Sequence, residues 1–143
     1  MAGTASPIAS SRRVGAVLTG AIVVLALTSA AIHLRLGALL FTLNALGYTV
    51  LAAAVGASAV SSHPLVVRFR WLPRVALIGY ALASIVAWMV VGGFYVLGYF
   101  TKAVELVLIA LVMIDLYRLY GGPRGLVQQV KESVAETATS LRR

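Results

Sequence analysis

LGALLFTLNALGYTVLAAAVGASAV, residues Leu36 to Val60, carries no charged side chain along its whole length. As a helix rising about 1.5 Å per residue it is long enough to pass the roughly 30 Å hydrocarbon core of a bilayer. A segment in lipid must satisfy its own backbone N–H and C=O groups, so this stretch reads as a membrane-spanning helix. Outward from it, residues 14–32 form a second uncharged apolar run. Two more follow over residues 75–97 and 99–120, the last containing Lys102, Glu105, Asp115 and Arg118. Gly92-Gly93 offers an earlier stop to the third run, which would leave Phe94 to Phe100 as an aromatic connector at the interface.

Composition agrees with the pattern. Of 143 residues, 61% are hydrophobic and only 11% charged, against about 25% charged in a soluble domain. A body this small cannot hide so much apolar side chain from water. A soluble enzyme and a disordered chain are excluded, and the absence of cysteine excludes disulfides, thiolate metal sites and cysteine nucleophiles. Arg12-Arg13, the apolar run after them and Ser29-Ala30-Ala31 resemble a secretory signal with a small-residue cleavage site. The run exceeds a usual signal core, so the expectation is a retained first helix.

The net charge of +8 sets topology rather than binding nucleic acid, because the basic residues fall between apolar runs instead of on one face. With four crossings, Arg12, Arg13, Arg68, Arg70, Arg74, Arg118, Arg124, Lys131, Arg142 and Arg143 gather on one side; Arg35 and Lys102 fall on the other. Lys and Arg stay cytoplasmic, which puts both termini in the cytoplasm. Trp71, Tyr117 and Tyr120 at one level, and Phe94, Tyr95, Tyr99 and Phe100 at the other, suit aromatic belts.

The expected fold is therefore all-α: an integral membrane four-helix bundle over 14–120 (14–32, 36–60, 75–97, 99–120) in the cell membrane. A flexible cytoplasmic arm over 1–13 precedes it and an amphipathic tail over 121–143 follows. In that tail Val127, Val130, Val134, Ala138 and Leu141 recur every three or four residues, with Gln128, Lys131, Glu132 and Glu136 on other faces. Such a helix lies on the membrane surface or docks on a partner, unless it frays. Pro123 suits its first turn and Gly121-Gly122 separate it from the fourth span. Short connections make sequential helices antiparallel neighbours. Small residues four apart allow close backbone approach, so Gly79, Ala83 and Ala87, together with Ala52 and Gly56, are expected at helix contacts.

Polar groups in lipid need partners. Asn44 and Tyr48 share one face of the second helix, as interhelical hydrogen-bonding groups or as contacts to a headgroup, quinone or small ligand. Glu105 is the most informative residue. Lys102 lies three positions before it, and His33 and Arg35 fall at the same outer level, which predicts an outer polar cluster of His33, Arg35, Lys102 and Glu105. That cluster neutralises charge with snorkelling cations, or binds a proton or ligand. Asp115 and Arg118 read as a local ion pair. His33 and His63 flank the second helix, too far apart to share one haem, so haem or quinone would require a partner chain. No metal-ligand spacing, nucleophile elbow or phosphate loop is present, and neither catalysis nor a bound cofactor or metal is expected. The first functional expectation is an accessory or structural subunit of a larger membrane complex, with lipids and other integral subunits or further copies of the chain as partners. The alternative is a bundle that binds or transports a proton, quinone, lipid or, through an oligomer, haem.

Overall fold

The computed structural model describes residues 7–140, and these form helices α1 (Pro7–Arg35), α2 (Leu39–Val60), α3 (Pro64–Arg68), α4 (Leu72–Val91), α5 (Val96–Tyr120) and α6 (Pro123–Ser140). Four of them, α1, α2, α4 and α5, are long and apolar enough to cross a membrane. Helix α1 packs against α2 and α5, and α4 packs against the same two, so each spanning helix has two neighbours.

The boundaries differ from the sequence expectation in ways the local chemistry explains. Residues 7–13, expected in a flexible arm, already belong to α1. The first turn of α4 begins at Leu72, where Pro73 sits at an N-terminal position whose N–H has no helical acceptor in any case. Helix α4 then stops at Val91: Gly92 is extended, and only Gly92 to Tyr95 connect to α5, so Val96 to Phe100 are helical rather than connector. The Trp88 indole closes this turn by donating to the Gly93 carbonyl at 3.2 Å. Its ring also meets Phe94 and Tyr99 edge-on, with centroids 5.2 and 5.0 Å away. Short α3 fills the basic loop after Pro64. Gly121 ends α5 in the left-handed region at φ 71°, a conformation that favours glycine, and its N–H donates to Tyr117 O.

The interior has three layers along α5. Its inward row, Lys102, Glu105, Leu108, Val112 and Asp115, advances by three or four residues and stays on one face. Leu108 and Val112 meet Ile22, Ala26, Val55, Leu77 and Ala81 in an apolar middle where every side chain is fully buried. Ala52 belongs to this layer, and Gly56 rests against Val23. The carboxylates of Glu105 and Asp115 mark its two ends, ten residues or roughly 15 Å apart on the helix.

The Gly79, Ala83 and Ala87 stripe does not mediate a helix contact inside this chain. All three are exposed, and no atom lies within 4 Å of a side chain built at Gly79. The inward row of α4 is Arg74, Leu77 and Ala81, because those positions carry the ion pair and the core contacts. The close approach instead occurs at Gly47, where the Tyr80 ring occupies the space a Cβ would need. Tyr80 Oη then donates to the Asn44 carbonyl at 3.2 Å.

Helix α6 folds back onto one end of the bundle, labelled the inner end; the opposite end, which holds His33 and Lys102, is labelled the outer end. Ser133 is buried and donates to the Arg68 carbonyl at 3.2 Å, Trp71 Nε1 donates to Ser133 Oγ at 3.4 Å, and Glu136 pairs with Arg68 at 2.7 Å. Leu126 packs against the core. The tail thus rests on its own chain's α3 loop, with Leu141, Arg142 and Arg143 outside the described residues.

Candidate functional site

The outer polar layer is assembled from pairs spaced three or four residues apart, one pair per helix. Helix α1 supplies Ser29 and His33, α2 supplies Asn44 and Tyr48, α4 supplies Tyr80 and Ser84, and α5 supplies Lys102 and Glu105. Each spacing puts both members on one helix face. Glu105 is completely buried. Its Oε2 accepts from Lys102 Nζ at 2.6 Å, and its Oε1 accepts from Ser29 Oγ at 3.1 Å and Ser84 Oγ at 3.0 Å. Lys102 Nζ also donates to Ser84 Oγ at 2.8 Å and to the Ser84 carbonyl at 3.3 Å. Asn44 Nδ2 donates to Ser84 Oγ at 3.3 Å. One carboxylate therefore ties α1, α4 and α5 together, and Ser84 extends the tie to α2.

His33 is buried beside this network, flanked by the rings of Phe41 and Tyr48. Its Nδ1 lies 2.7 Å from the Ser29 carbonyl. A carbonyl only accepts, so Nδ1 carries the proton in that bond. Nε2 faces Glu105 Oε1 at 3.9 Å, beyond hydrogen-bond length. The Tyr48 hydroxyl is fully buried and has no hydrogen-bond partner among the described residues.

Three of the four residues expected in this cluster are brought together: His33, Lys102 and Glu105. Arg35 is not. It is exposed at the end of α1, two residues from His33, and about 100° per residue carries it to the far side of the helix. Ser29, Tyr80, Ser84 and Trp88 did not emerge from the sequence as site residues. Their signal was the four-residue spacing of Ser29 with His33 and of Tyr80 with Ser84, which is easily lost among alanines and serines that bond only to their own helix.

A cleft of about 490 Å³ opens beside the cluster, between the outer ends of α2, α4 and α5. Its polar end consists of His33, Asn44, Ser84 and Lys102. Its apolar wall runs along Leu40, Ala83, Ala87, Trp88 and Val91, so the outward stripe of α4 lines the cleft. The exposed side chains of Leu40, Leu43 and Val91 border the mouth.

The inner polar layer is a second buried network. Asp115, fully buried, accepts from Arg74 Nε at 2.7 Å and from Arg118 Nη2 at 2.8 Å. Arg74 was expected as a loop charge but is 1% exposed within α4. Its Nη1 donates to Ser58 Oγ at 2.9 Å and to the Arg70 carbonyl at 2.8 Å. Arg70 Nε donates to the Ser58 carbonyl at 2.8 Å. Arg70 thereby satisfies a carbonyl at the C-terminal end of α2 that its own helix leaves open, and Arg74 holds Arg70 and Ser58 in place. The Arg118 guanidinium lies over Gly15 of α1, against which any side chain would press.

His33 and His63 stand beyond opposite ends of α2, a helix of 22 residues or roughly 33 Å. One chain cannot bring both to one iron. Among the described residues no group of three or more His, Asp or Glu side chains is arranged to hold a metal ion.

Fold and polar layers define the class: a multi-pass membrane protein, all-helical over the described residues, with a cleft that ends on a buried ionic network. No family model, curated protein or solved structure matches the chain.

Proposed function

We propose that this protein binds a lipid-like amphiphile in the cleft between α2, α4 and α5, as an intramembrane binding or carrier protein without catalytic activity of its own. One observation carries the reading: a largely apolar groove terminates on convergent polar groups held by a buried ion pair. Its volume lies within the range of roughly 300–1,000 Å³ typical of small-molecule sites. A groove wall of Ala83 and Ala87 leaves room for a chain that larger residues would fill. Purified full-length protein, released from lipid nanodiscs and weighed by native mass spectrometry, is expected to retain an amphiphile. Ala87→Phe, which fills the wall, is expected to lose it at unchanged thermal stability. Wild-type protein that carries no adduct from any lipid extract would overturn the proposal.

A second reading, an accessory subunit of a larger complex, draws on the sparse cover of α4, of which only 17% of the membrane-crossing window is buried inside the chain. A partner helix laid over Gly79 would share that face. Co-purification of the chain only as a free species would remove this reading and leave the first intact.

For orientation we propose both termini on the cytoplasmic side of the cell membrane. Arg68, Arg70, Arg74, Arg118 and α6 cluster at one end of the bundle, while His33 and Lys102 lie at the other, the distribution that retention of basic residues favours. The chain contains no cysteine, so single thiols report cleanly. Ala38→Cys is expected to react with an impermeant maleimide added outside intact cells, and Ser62→Cys only after permeabilisation. The reverse pattern would invert the topology.

A further inference from the structure

The geometry points to a neutral head bearing a hydroxyl group, on an apolar tail, as the occupant of the cleft, with His33 Nε2 as the acceptor of that hydroxyl's proton in a hydrogen bond. The inference rests on the proposed amphiphile-binding role and names its ligand class.

The polar end of the cleft looks cationic in sequence but is saturated in the structure. Lys102 has three N–H groups, and its ammonium meets three acceptors: Glu105 Oε2, Ser84 Oγ and the Ser84 carbonyl. The positive charge of Lys102 is matched by Glu105 at 2.6 Å. An anionic head would therefore enter a site with no cation left to balance it, in surroundings where an unbalanced charge is costly. The same count leaves no counter-charge for an imidazolium at His33, because Glu105 already holds Lys102 and two serine hydroxyls.

Beside the second amide N–H of Asn44, the cleft offers an unused acceptor at His33. His33 is 4% exposed and lines the cleft. With its proton on Nδ1 engaged by the Ser29 carbonyl, the uncharged ring presents a lone pair at Nε2, which has no hydrogen-bond partner among the described residues. His33 lines the cleft, and a lone pair that reaches the cleft can be matched by a donor on its occupant. An alcohol or a phenol matches this one and brings no charge. Phenolic and aliphatic hydroxyls share this chemistry, and the Trp88 ring on the wall offers an aromatic head a stacking surface.

The test uses the full-length chain with Trp71→Phe, which leaves Trp88, on the cleft wall, as the sole indole. In phosphatidylcholine nanodiscs, Trp88 emission is followed against 4-decylphenol, dodecan-1-ol, dodecyl methyl ether and dodecanoate. The two hydroxylated probes are expected to bind about tenfold more tightly than the ether, the effect of one hydrogen bond to a group otherwise left unmatched, and more tightly than the carboxylate. The stronger of the two distinguishes an aromatic from an aliphatic head. His33→Phe is expected to bring alcohol and ether within about twofold of each other while the ether's own affinity holds. Nitrogen-15 NMR of the two histidines provides a readout without mutating the site: alcohol, but not ether, is expected to move the Nε2 resonance of His33 and leave exposed His63 unchanged. Dodecanoate binding as tightly as the alcohols, or an unmoved His33 resonance at saturating alcohol, overturns the hydroxyl assignment while the amphiphile cleft stands. Absence of a saturable response to all four probes overturns the cleft itself.

Discussion

Asp115→Ala is expected to destabilise the protein by about 3–5 kcal/mol, enough to abolish monodisperse material in mild detergent. The loss follows from what remains behind rather than from the missing contact. Arg74, at 1% exposure, would keep its charge in an apolar interior with Asp115 gone, and breaking one half of a buried pair is much costlier than removing both halves. Arg118 would lose its partner as well, though it is 31% exposed and can turn to solvent. The discriminating experiment is the double variant Arg74→Met with Asp115→Leu. Thermal unfolding followed by fluorescence-detected size exclusion is expected to show the double variant recovering most of the loss. If Asp115→Ala alone melts within a few degrees of wild type, the inner network contributes nothing to stability. Arg74→Met by itself should also open the end of α2, since the Ser58 hydroxyl and the Arg70 carbonyl lose a donor.

Glu105→Leu is expected to have the next largest effect, about 3 kcal/mol. Glu105 accepts hydrogen bonds from Ser29 on α1, Ser84 on α4 and Lys102 on its own helix, so its removal unties helices at the outer end and leaves an ammonium 8% exposed. The effect should be smaller than at Asp115, because Lys102 reaches the surface along its flexible stem more readily than Arg74 does. Glu105→Gln keeps acceptor capacity and is expected to fall between wild type and leucine. Lys102→Met combined with Glu105→Leu removes both charges, and a double-variant cycle on the melting temperature measures their coupling. Additive single effects would mean that the pair at 2.6 Å carries no net interaction. The same double variant speaks to function: it empties the polar end of the cleft of its ionic support while leaving the Ala83 and Ala87 wall in place. Retained stability with lost preference for a hydroxylated ligand would separate the scaffold role of this pair from its role in orienting Ser84.

The two carboxylates share a design. Each lies at one end of the apolar middle layer, on the inward face of α5, and each draws donors from other helices. Helix association in lipid gains little from apolar burial, because the surrounding tails are as apolar as the interior. Interhelical hydrogen bonds and close packing must supply specificity, and these two groups fix the register of α5 against α4 at two heights. Between them Leu108, Val112, Leu77 and Val55 form an apolar plug, and among the described residues no side-chain hydrogen bond links one network to the other.

Sequence by itself determined the solvent and the crossings. Runs of about 20 apolar residues are long enough, as helices, to cross a bilayer, and Pro64, Pro73, Gly92 and Gly121 punctuate them by backbone chemistry that acts locally. The pairing of Lys102 with Glu105 and of Asp115 with Arg118 was legible for the same reason, since three residues on one helix already bring two side chains together. Only the tertiary structure decided that Arg74 of α4 reaches Asp115, that Ser29 and Ser84 converge on Glu105, that Arg35 stands apart from His33, and that the Ala83 and Ala87 stripe borders a cleft rather than a neighbouring helix. Those relations depend on how each helix is rotated about its axis, and in a chain apolar on nearly every face the periodicity that would reveal that rotation is absent. The few polar side chains set it, through contacts that span up to 76 residues and exist only once the helices have met.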